Sequence, residues 1–389
     1  MCLIGEHGLE EGGLEGLAGR LGVGSRHLRR LFLRHLGAPP SVVAQTRRLH
    51  FAKKLLDETR LSMTDVAVAS GFGCVRRFNA AIRKTYRRTP TEIRRLRRPT
   101  TIQPANQYLF HLRFRPPYHW KGMLAFLAVR ATPGVEVVDH RGYRRSISRK
   151  GKHGYFEVSL EEGSDSLAVR VQFADPRELF SIVERIRSLF DLNADWAAIA
   201  QGLGTDAELA RRIRAEPGLR VPGCWDGFEL ATRAILGQRM TGKAAGSLAG
   251  RLARSFGQPF CGADGLTHLF PTPEVLADAN LAGVGVTGKR AATVRALARA
   301  VRDGQLGFER VVDPNAFLAT LGEIPGIGDR TAQYVAMRAL AEPDVLPIGD
   351  TGLLRALGLT SSRELEKRAE TWRPWRSYAS MYLWNGARA

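Results

Sequence analysis

Residues 321–352 read LGEIPGIGDRTAQYVAMRALAEPDVLPIGDTG. A turn punctuated by Pro325, Gly326 and Gly328 separates two stretches of helical pattern. Glycine permits positive φ and close backbone approach. A helix starting near Asp329 turns its free N–H groups and positive dipole end toward an anion. Such a contact needs no side chain, so it holds a phosphate without regard to base sequence. Downstream, Asp350 stands in a loop between Gly349 and Gly352. Alone, P-G-I-G is a common tight turn, and a lone loop acid is a common helix cap. Together, and flanked by helices, they point to chemistry on a phosphate-linked substrate.

The charge of the chain names the substrate class. Its 389 residues carry a formal net charge of +20, and the isoelectric point is about 10.6, so a polyanionic partner is expected. The excess is uneven. Residues 1–100 hold 20 Lys and Arg against 8 Asp and Glu, net +12; the remainder holds 38 against 30, net +8. A hydrophobic fraction of 44% supports folded domains, and the length exceeds one core. Cys2, Cys74, Cys224 and Cys261 are far apart, so neither a zinc site nor an iron–sulfur cluster is signalled. Reduced thiols in a cytosolic protein are expected. No run reaches membrane-spanning length, so no membrane partner is expected.

The chain reads in three parts. Residues 1–98 form the first, helical from 10 to 98. Leu14, Leu17 and Leu21, then Leu28, Leu31 and Phe32, recur at helical spacing on either side of Gly22-Val23-Gly24-Ser25, with Ser25 the expected cap of the second helix. The same helix–turn–helix order returns from Leu61, with Ser62 or Thr64 as cap, Gly71 at the turn and a basic helix after it. A basic, Pro-containing linker is read over Arg94–Pro104. Residues 99–196 combine short alternating runs at 107–114, 135–139, 143–148, 154–159 and 167–173 with helices over 120–130 and 176–189, an α+β layer with an antiparallel sheet. Residues 197–389 are all helical, in segments from 205–215 to 374–385.

The first part resembles the DNA-binding region of AraC-type regulators, most specifically in ASGF (69–72), Phe78 and Thr89-Pro90. That resemblance implies that the second helix of each unit enters a major groove. The candidate DNA contacts are Arg26, His27, Arg30, Arg76 and Arg77, each of which serves equally well as a phosphate contact.

The rest resembles the helix-hairpin-helix Gly/Pro–Asp DNA glycosylases, and within them the DNA-3-methyladenine glycosylase II group. The supporting segments are RPPYHWKGMLAFLAVRA (115–131), RSLFDL (187–192), PGCWDGFELATRAILGQ (222–238), the hairpin, and WRPWRSYASMYLW (372–384). The resemblance implies a helix-hairpin-helix catalytic domain with Asp350 as catalytic acid. Asp350 would stabilise the positive sugar formed as the base leaves, or orient water. Physics agrees, because an oxocarbenium-like transition state needs a fixed anion in a water-poor site. Pro325, Gly326, Ile327, Gly328 and Thr331 would hold the DNA backbone. The target base must leave the stack, and Phe126, Tyr334 and Trp384, with Arg330, would form its pocket; aromatic faces attract cationic bases. Trp120 and Trp225 are weaker candidates. Gln238, Arg239 and Met240 occupy the loop that wedges into the duplex in relatives. The carbonyls of Gly322, Ile324 and Ile327 would hold a monovalent cation, as the resemblance alone implies; no side-chain metal site and no cofactor are expected.

Three departures qualify the resemblance. Arg330 replaces an aromatic of the alkyl-base enzymes and the catalytic lysine of strand-cleaving relatives. A guanidinium does not readily form a Schiff base, so base release without strand cleavage is expected. Arg239 is not an apolar wedge, and Thr351 replaces an aromatic. A regulator joined to a glycosylase resembles the Ada-type fusions of the alkylation response, yet only Cys2 precedes the helix–turn–helix, so no zinc-held methyl acceptor is expected.

The expected function is a monofunctional glycosylase for alkylated purines of the 3-methyladenine and 7-methylguanine type. It would act as a monomer on double-stranded DNA and carry a module for an operator. Two alternatives stand beside it: a transcription regulator whose glycosylase half only binds DNA, and an enzyme for an oxidised or deaminated base.

Overall fold

A computed structural model describes residues 13–96, 104–286, 288–309, 311 and 313–386. Residues 97–103 of the linker read over 94–104 lie outside the described residues, as does Cys2. Two compact units divide the chain. One holds residues 1–111, 148–156 and 169–185; the other holds 112–147, 157–168 and 186–389. The division cuts across the expected parts 1–98, 99–196 and 197–389.

In the first unit, helices Gly13–Arg20 and Ser25–Leu36 form the first helix–turn–helix, and Met63–Ala69 and Val75–Tyr86 form the second. Helix Pro40–Glu58 joins them. Leu17, Ala18, Leu28 and Ala44 make a small core, with Leu14, Leu21 and Phe32 packed against it. Ser25 does not cap: Gly24 takes the cap position and no side chain bonds there. In the second unit of the repeat, Ser62 accepts the N–H of Asp65, as its position before Met63 allows. Phe78 is fully buried against Phe72, their ring centroids 5.6 Å apart.

The joining helix also packs where the three-part reading placed a boundary. Phe51 meets Phe180 edge to face at 4.9 Å and Phe110 at 6.3 Å. Lys54 donates to the His111 carbonyl at 2.6 Å, and Arg47 pairs with Glu184. Apolar burial of these aromatics packs the joining helix against Phe110 and against Phe180 of helix Leu179–Leu189.

Five strands form one sheet in the order β1-β5-β4-β3-β2: β1 Gln107–Arg113, β2 Glu136–Asp139, β3 Gly142–Arg149, β4 Lys152–Leu160 and β5 Ser166–Phe173. β2 and β3 pair antiparallel, with Glu136 opposite Arg145. Alternation puts Tyr108, Phe110 and Leu112 of β1 inward.

The second unit is helical beyond the sheet, from Trp196–Leu203 to Arg376–Gly386. The first of these lies in the stretch expected to be helical from 197, ahead of its first expected segment, 205–215. A stripe of glycines at helical spacing, Gly242, Gly246 and Gly250, lets helix Gly242–Phe256 lie against 129–133. A Cβ on Gly242 would meet Val129 Cγ1 at 2.6 Å, and one on Gly246 the Ala131 carbonyl at 2.8 Å. Beneath that segment is a buried four-charge network. Arg145 bonds Glu229 at 2.7 Å, while Arg233 bonds Glu136 at 2.8 Å and Glu229 at 3.0 Å. Burial pushes the Glu136 carboxyl up, but Arg233 and Arg145 outweigh it and hold the group down. Arg233 also donates to the Arg130 carbonyl. Among the described residues, no helix is long and apolar enough to cross a membrane.

Candidate active site

The hairpin joins helix Pro314–Gly322 to helix Asp329–Ala339. Gly326 has φ +94, and a Cβ there would meet Thr293 Oγ1 at 2.1 Å. Only glycine meets both demands. Thr293 in turn donates to the Pro325 carbonyl at 2.7 Å. Pro325, Gly326 and Gly328 are exposed, whereas the Ile327 side chain is buried and anchors the turn. No side chain caps the helix at Gly328, so its first N–H groups face outward for an anion. The Ile324 carbonyl already accepts the Ile327 N–H at 3.0 Å; a carbonyl has two lone pairs, so it can still face a cation.

Asp350 caps helix Thr351–Leu357. Its Oδ1 accepts the N–H groups of Gly352 at 2.9 Å and Leu353 at 3.1 Å, and the Trp384 indole N–H at 3.0 Å. Its Oδ2 accepts two bonds from Arg330, from Nε at 3.0 Å and Nη2 at 2.6 Å. The cap reading and the catalytic reading of this acid therefore coexist. Gly352 makes room for it: a Cβ there would sit 2.9 Å from Oδ1 and 3.5 Å from Trp384 Cδ1.

Asp350 lines a cavity of about 500 Å³ together with Arg330, Tyr334, Trp384 and Arg338. The rings of Tyr334 and Trp384 are 6.3 Å apart, tilted by 60°. The Tyr334 hydroxyl accepts from Arg338 at 2.8 Å. Burial raises the Tyr334 phenol, but the guanidinium groups of Arg338 and Arg130 and the hydrogen bond from Arg338 prevail, bringing it down to about 8.

Phe126 is not on the cavity wall. It is 4% exposed, and the guanidinium carbons of Arg130 and Arg338 lie 3.8 and 5.0 Å from its ring centroid. Trp225 is buried and half-buried Trp120 packs on Phe190, and neither lines the cavity. Gln238 is a strut: its amide donates to the Gly326 carbonyl at 3.0 Å and to Thr331 Oγ1 at 3.2 Å. Arg239 and Met240 stand exposed at the loop tip, Arg239 with φ +57. A long side chain in the left-handed region marks a constrained position.

On the helix–turn–helix face, Arg26, His27, Arg30, Arg76 and Arg77 are all exposed. Arg30 and His27 bond each other at 2.9 Å.

Comparison with known proteins accounts for nearly the whole chain. The helix-turn-helix domain family matches residues 17–96, the AlkA N-terminal domain residues 109–226, and the HhH-GPD superfamily of base excision DNA repair proteins residues 232–375. The chain is 36% identical over 99% of its length to a probable bifunctional transcriptional activator/DNA repair enzyme AlkA of Mycobacterium tuberculosis, covering 79% of that protein. The chain belongs to the AlkA family. It is also 33% identical over 71% of its length to DNA-3-methyladenine glycosylase 2 of Escherichia coli, covering 96% of it. In fold it resembles a 3-methyladenine DNA-glycosylase from Archaeoglobus fulgidus, with a TM-score of 0.62 and 21% identity over 72% of this chain and 98% of that one. It is thus a DNA repair glycosylase of the AlkA family with an added helix-turn-helix region.

Within this AlkA-family site, Arg130, Arg338 and Gly352 escaped the sequence reading. Arg338 had a readable signal, since it lies four residues beyond Tyr334 and so on the same helix face. Arg130 had the same signal relative to Phe126, and Gly352 was visible beside the acid, though not the room it makes for the carboxylate.

Proposed function

We propose that the chain is a monofunctional N-glycosyl hydrolase for alkylated purines in duplex DNA, with Asp350 as its catalytic carboxylate. The observation that carries this reading is an anion fixed by five donors on the wall of a cavity large enough for a flipped base. The hairpin N–H groups hold a backbone phosphate. Arg239 and Met240 enter the gap left by the base, and Tyr334 and Trp384 face the base. As the glycosidic bond breaks, positive charge develops on the sugar and the Asp350 carboxylate stabilises it. Water then adds to the sugar carbon. Arg330 supplies no amine for a Schiff base, so the strand stays intact. The carbonyls of Gly322, Ile324 and Ile327 are the proposed seat of a monovalent cation, and no step runs through it.

The helix–turn–helix region holds an operator through Arg26, His27, Arg30, Arg76 and Arg77, with the protein acting as a monomer in the bacterial cytoplasm. Each of these residues that meets a phosphate adds about 0.9 to the slope of log affinity against log salt. Alanine at Arg76 and Arg77 together therefore flattens that slope.

The deciding test is base release. Duplexes bearing 3-methyladenine, 7-methylguanine or hypoxanthine are incubated with the protein and scored for alkali-labile sites, with Asp350→Asn as control. Release that Asp350→Asn abolishes supports the hydrolase; no release from any duplex leaves only a DNA-binding protein. Strand cleavage without alkali, or trapping by borohydride, removes the monofunctional reading.

A further inference from the structure

The turn that carries Arg239 lies between helices Gly227–Leu236 and Gly242–Phe256. The Met240 N–H closes it on the Gly237 carbonyl at 3.1 Å. Gly237 has φ −80, while Arg239, at the third position of the turn, has φ +57. A four-residue turn with negative φ throughout suits arginine; positive φ at the third position belongs to glycine or asparagine. The two forms differ by a flip of the central peptide plane, which carries the Gln238 carbonyl. That carbonyl accepts Arg290 Nη2 at 2.8 Å. The bond thus fixes the plane against which the Arg239 φ is set. Arg290 belongs to helix Gly288–Arg302. Three residues on, and so on the same face, Thr293 bonds the Pro325 carbonyl of the hairpin. The Gln238 amide closes the triangle by reaching the Gly326 carbonyl and Thr331. One helix therefore grips the turn and the hairpin together.

We propose that Arg290 is a positioning residue for base extrusion: it locks the 237–240 turn in the form that aims Arg239 at the duplex, and it ties that turn to the phosphate-holding hairpin. The proposal rests on the reading that Arg239 enters the gap left by the base. Without the Arg290 bond nothing offsets the cost of a left-handed arginine. The peptide plane flips, Arg239 returns to negative φ, and its side chain leaves the direction that the duplex meets. Gly237, Gln238, Arg239 and Met240 also line the cavity beside Asp350, so the flip alters its mouth as well. Asp350 itself is untouched, because its donors are Arg330, Gly352, Leu353 and Trp384. Arg290 therefore acts on the equilibrium that brings the base out of the stack, ahead of bond breaking.

The test uses the full chain and a duplex carrying a hydrolysis-resistant 2′-fluoroarabino 7-methylguanine beside 2-aminopurine, whose fluorescence rises as its neighbour leaves the stack. At saturating protein, Arg290→Met is expected to lower the extrusion equilibrium roughly tenfold, the scale of one strained torsion. Arg290→Lys keeps one donor for the Gln238 carbonyl and restores most of the signal. Arg290→Gln stands in if the methionine variant does not fold. The decisive comparison is a double-mutant cycle with Arg239→Gly. Glycine adopts positive φ unaided and carries no side chain to aim, so adding Arg290→Met to Arg239→Gly should change nothing further. A merely structural arginine would cost the same in both backgrounds, and that result overturns the proposal. So does an equal loss in both backgrounds with a salt slope lower by about 0.9, which marks a phosphate contact instead. If Arg239→Gly lowers extrusion and the Arg290 variants do not, the proposal alone falls. If Arg239→Gly leaves extrusion unchanged, the wedge reading fails and takes the proposal with it.

Discussion

Arg330 holds Asp350 through two hydrogen bonds to a single oxygen, Oδ2, while the three N–H groups on Oδ1 come from the helix start and from Trp384. The two partners differ in exposure: the arginine side chain is 57% exposed and the aspartate 10%. A water-facing cation thus rests on an inward-facing anion. Replacing Arg330 with glutamine removes the charge that offsets Asp350. The expected result is a single-turnover rate of base release raised by roughly three- to tenfold, since fixed charge at the reacting centre governs the barrier. Weaker DNA binding and a salt slope lower by about 0.9 accompany it where the wild-type guanidinium meets a phosphate in the complex. A slower rate would show that Arg330 positions the carboxylate instead of offsetting it.

Substitutions can separate the cap that Asp350 forms from the catalysis proposed for it. Asparagine retains an oxygen able to accept the N–H groups of Gly352 and Leu353, so the cap survives while the charge is lost. Asp350→Asn is expected to lower base release by roughly 10²–10³-fold with a near-normal melting temperature. Asp350→Ala loses both, and its stability falls by about 1 kcal/mol as well. Equal melting temperatures for the two variants would deny the capping role.

Gly352 shapes the same carboxylate without touching substrate. A methyl group at that position would sit 2.9 Å from Oδ1 and 3.5 Å from the Trp384 ring. Because Gly352 does not adopt a left-handed φ, Gly352→Ala carries no backbone strain of that kind. The carboxylate and the indole shift instead. Base release should fall by tenfold or more, in keeping with the sensitivity of positioned groups to sub-ångström displacement. The far-ultraviolet spectrum should stay the same. Rates equal to wild type would mean that the carboxylate tolerates the shift.

The Tyr334 phenol should titrate near 8, visible as tyrosinate absorbance in the near ultraviolet. Burial pushes it up, but Arg338 and Arg130 outweigh burial. The folded value lies below the unfolded value near 10. The ionised form therefore contributes stability that is fully present above about pH 10 and lost as pH falls through 8. Arg130→Gln should move the titration upward; an unmoved midpoint would show that Arg338 alone sets it.

What the sequence disclosed followed the range of its signals. The hairpin, the acid and the glycines around them are local, and Ile324–Gly328 and Asp350 could be read directly. Strands β1, β4 and β5 were legible because alternation survives in each, whereas β2 and β3 do not alternate in burial. Other features depend on contacts between distant segments. Phe126 carries the family pattern, yet its ring is covered not only by its neighbour Arg130 but by Arg338 from far along the chain. Gln238 looked like part of a wedge, but its amide reaches a hairpin far along the chain. The joining helix Pro40–Glu58 looked confined to the regulatory part, yet Phe51 packs on Phe110 and Phe180. Periodicity marks which face is apolar; it does not say what that face meets.

Asp191, in the RSLFDL stretch, offers a test of packing away from the reaction. It lies at φ +50, and its Oδ2 accepts the Tyr378 hydroxyl at 2.8 Å. Burial pushes its carboxyl up to about 7, against the pull of the Tyr378 hydroxyl, Arg220 and the Val221 N–H. The folded value is above the unfolded value near 3.9. The folded protein therefore holds the proton more tightly, and the resulting stability is fully present below about pH 3.9 and lost as pH rises through 7. One such proton contributes a slope of at most about 1.4 kcal/mol per pH unit. Asparagine tolerates the left-handed backbone and can still accept from Tyr378, but it does not titrate. Denaturation midpoints of the wild type, measured from pH 5 to pH 8, should decline relative to those of Asp191→Asn and run parallel to them above pH 8. Parallel midpoints across the whole range would mean that Asp191 is ionised throughout and that Arg220 compensates its burial.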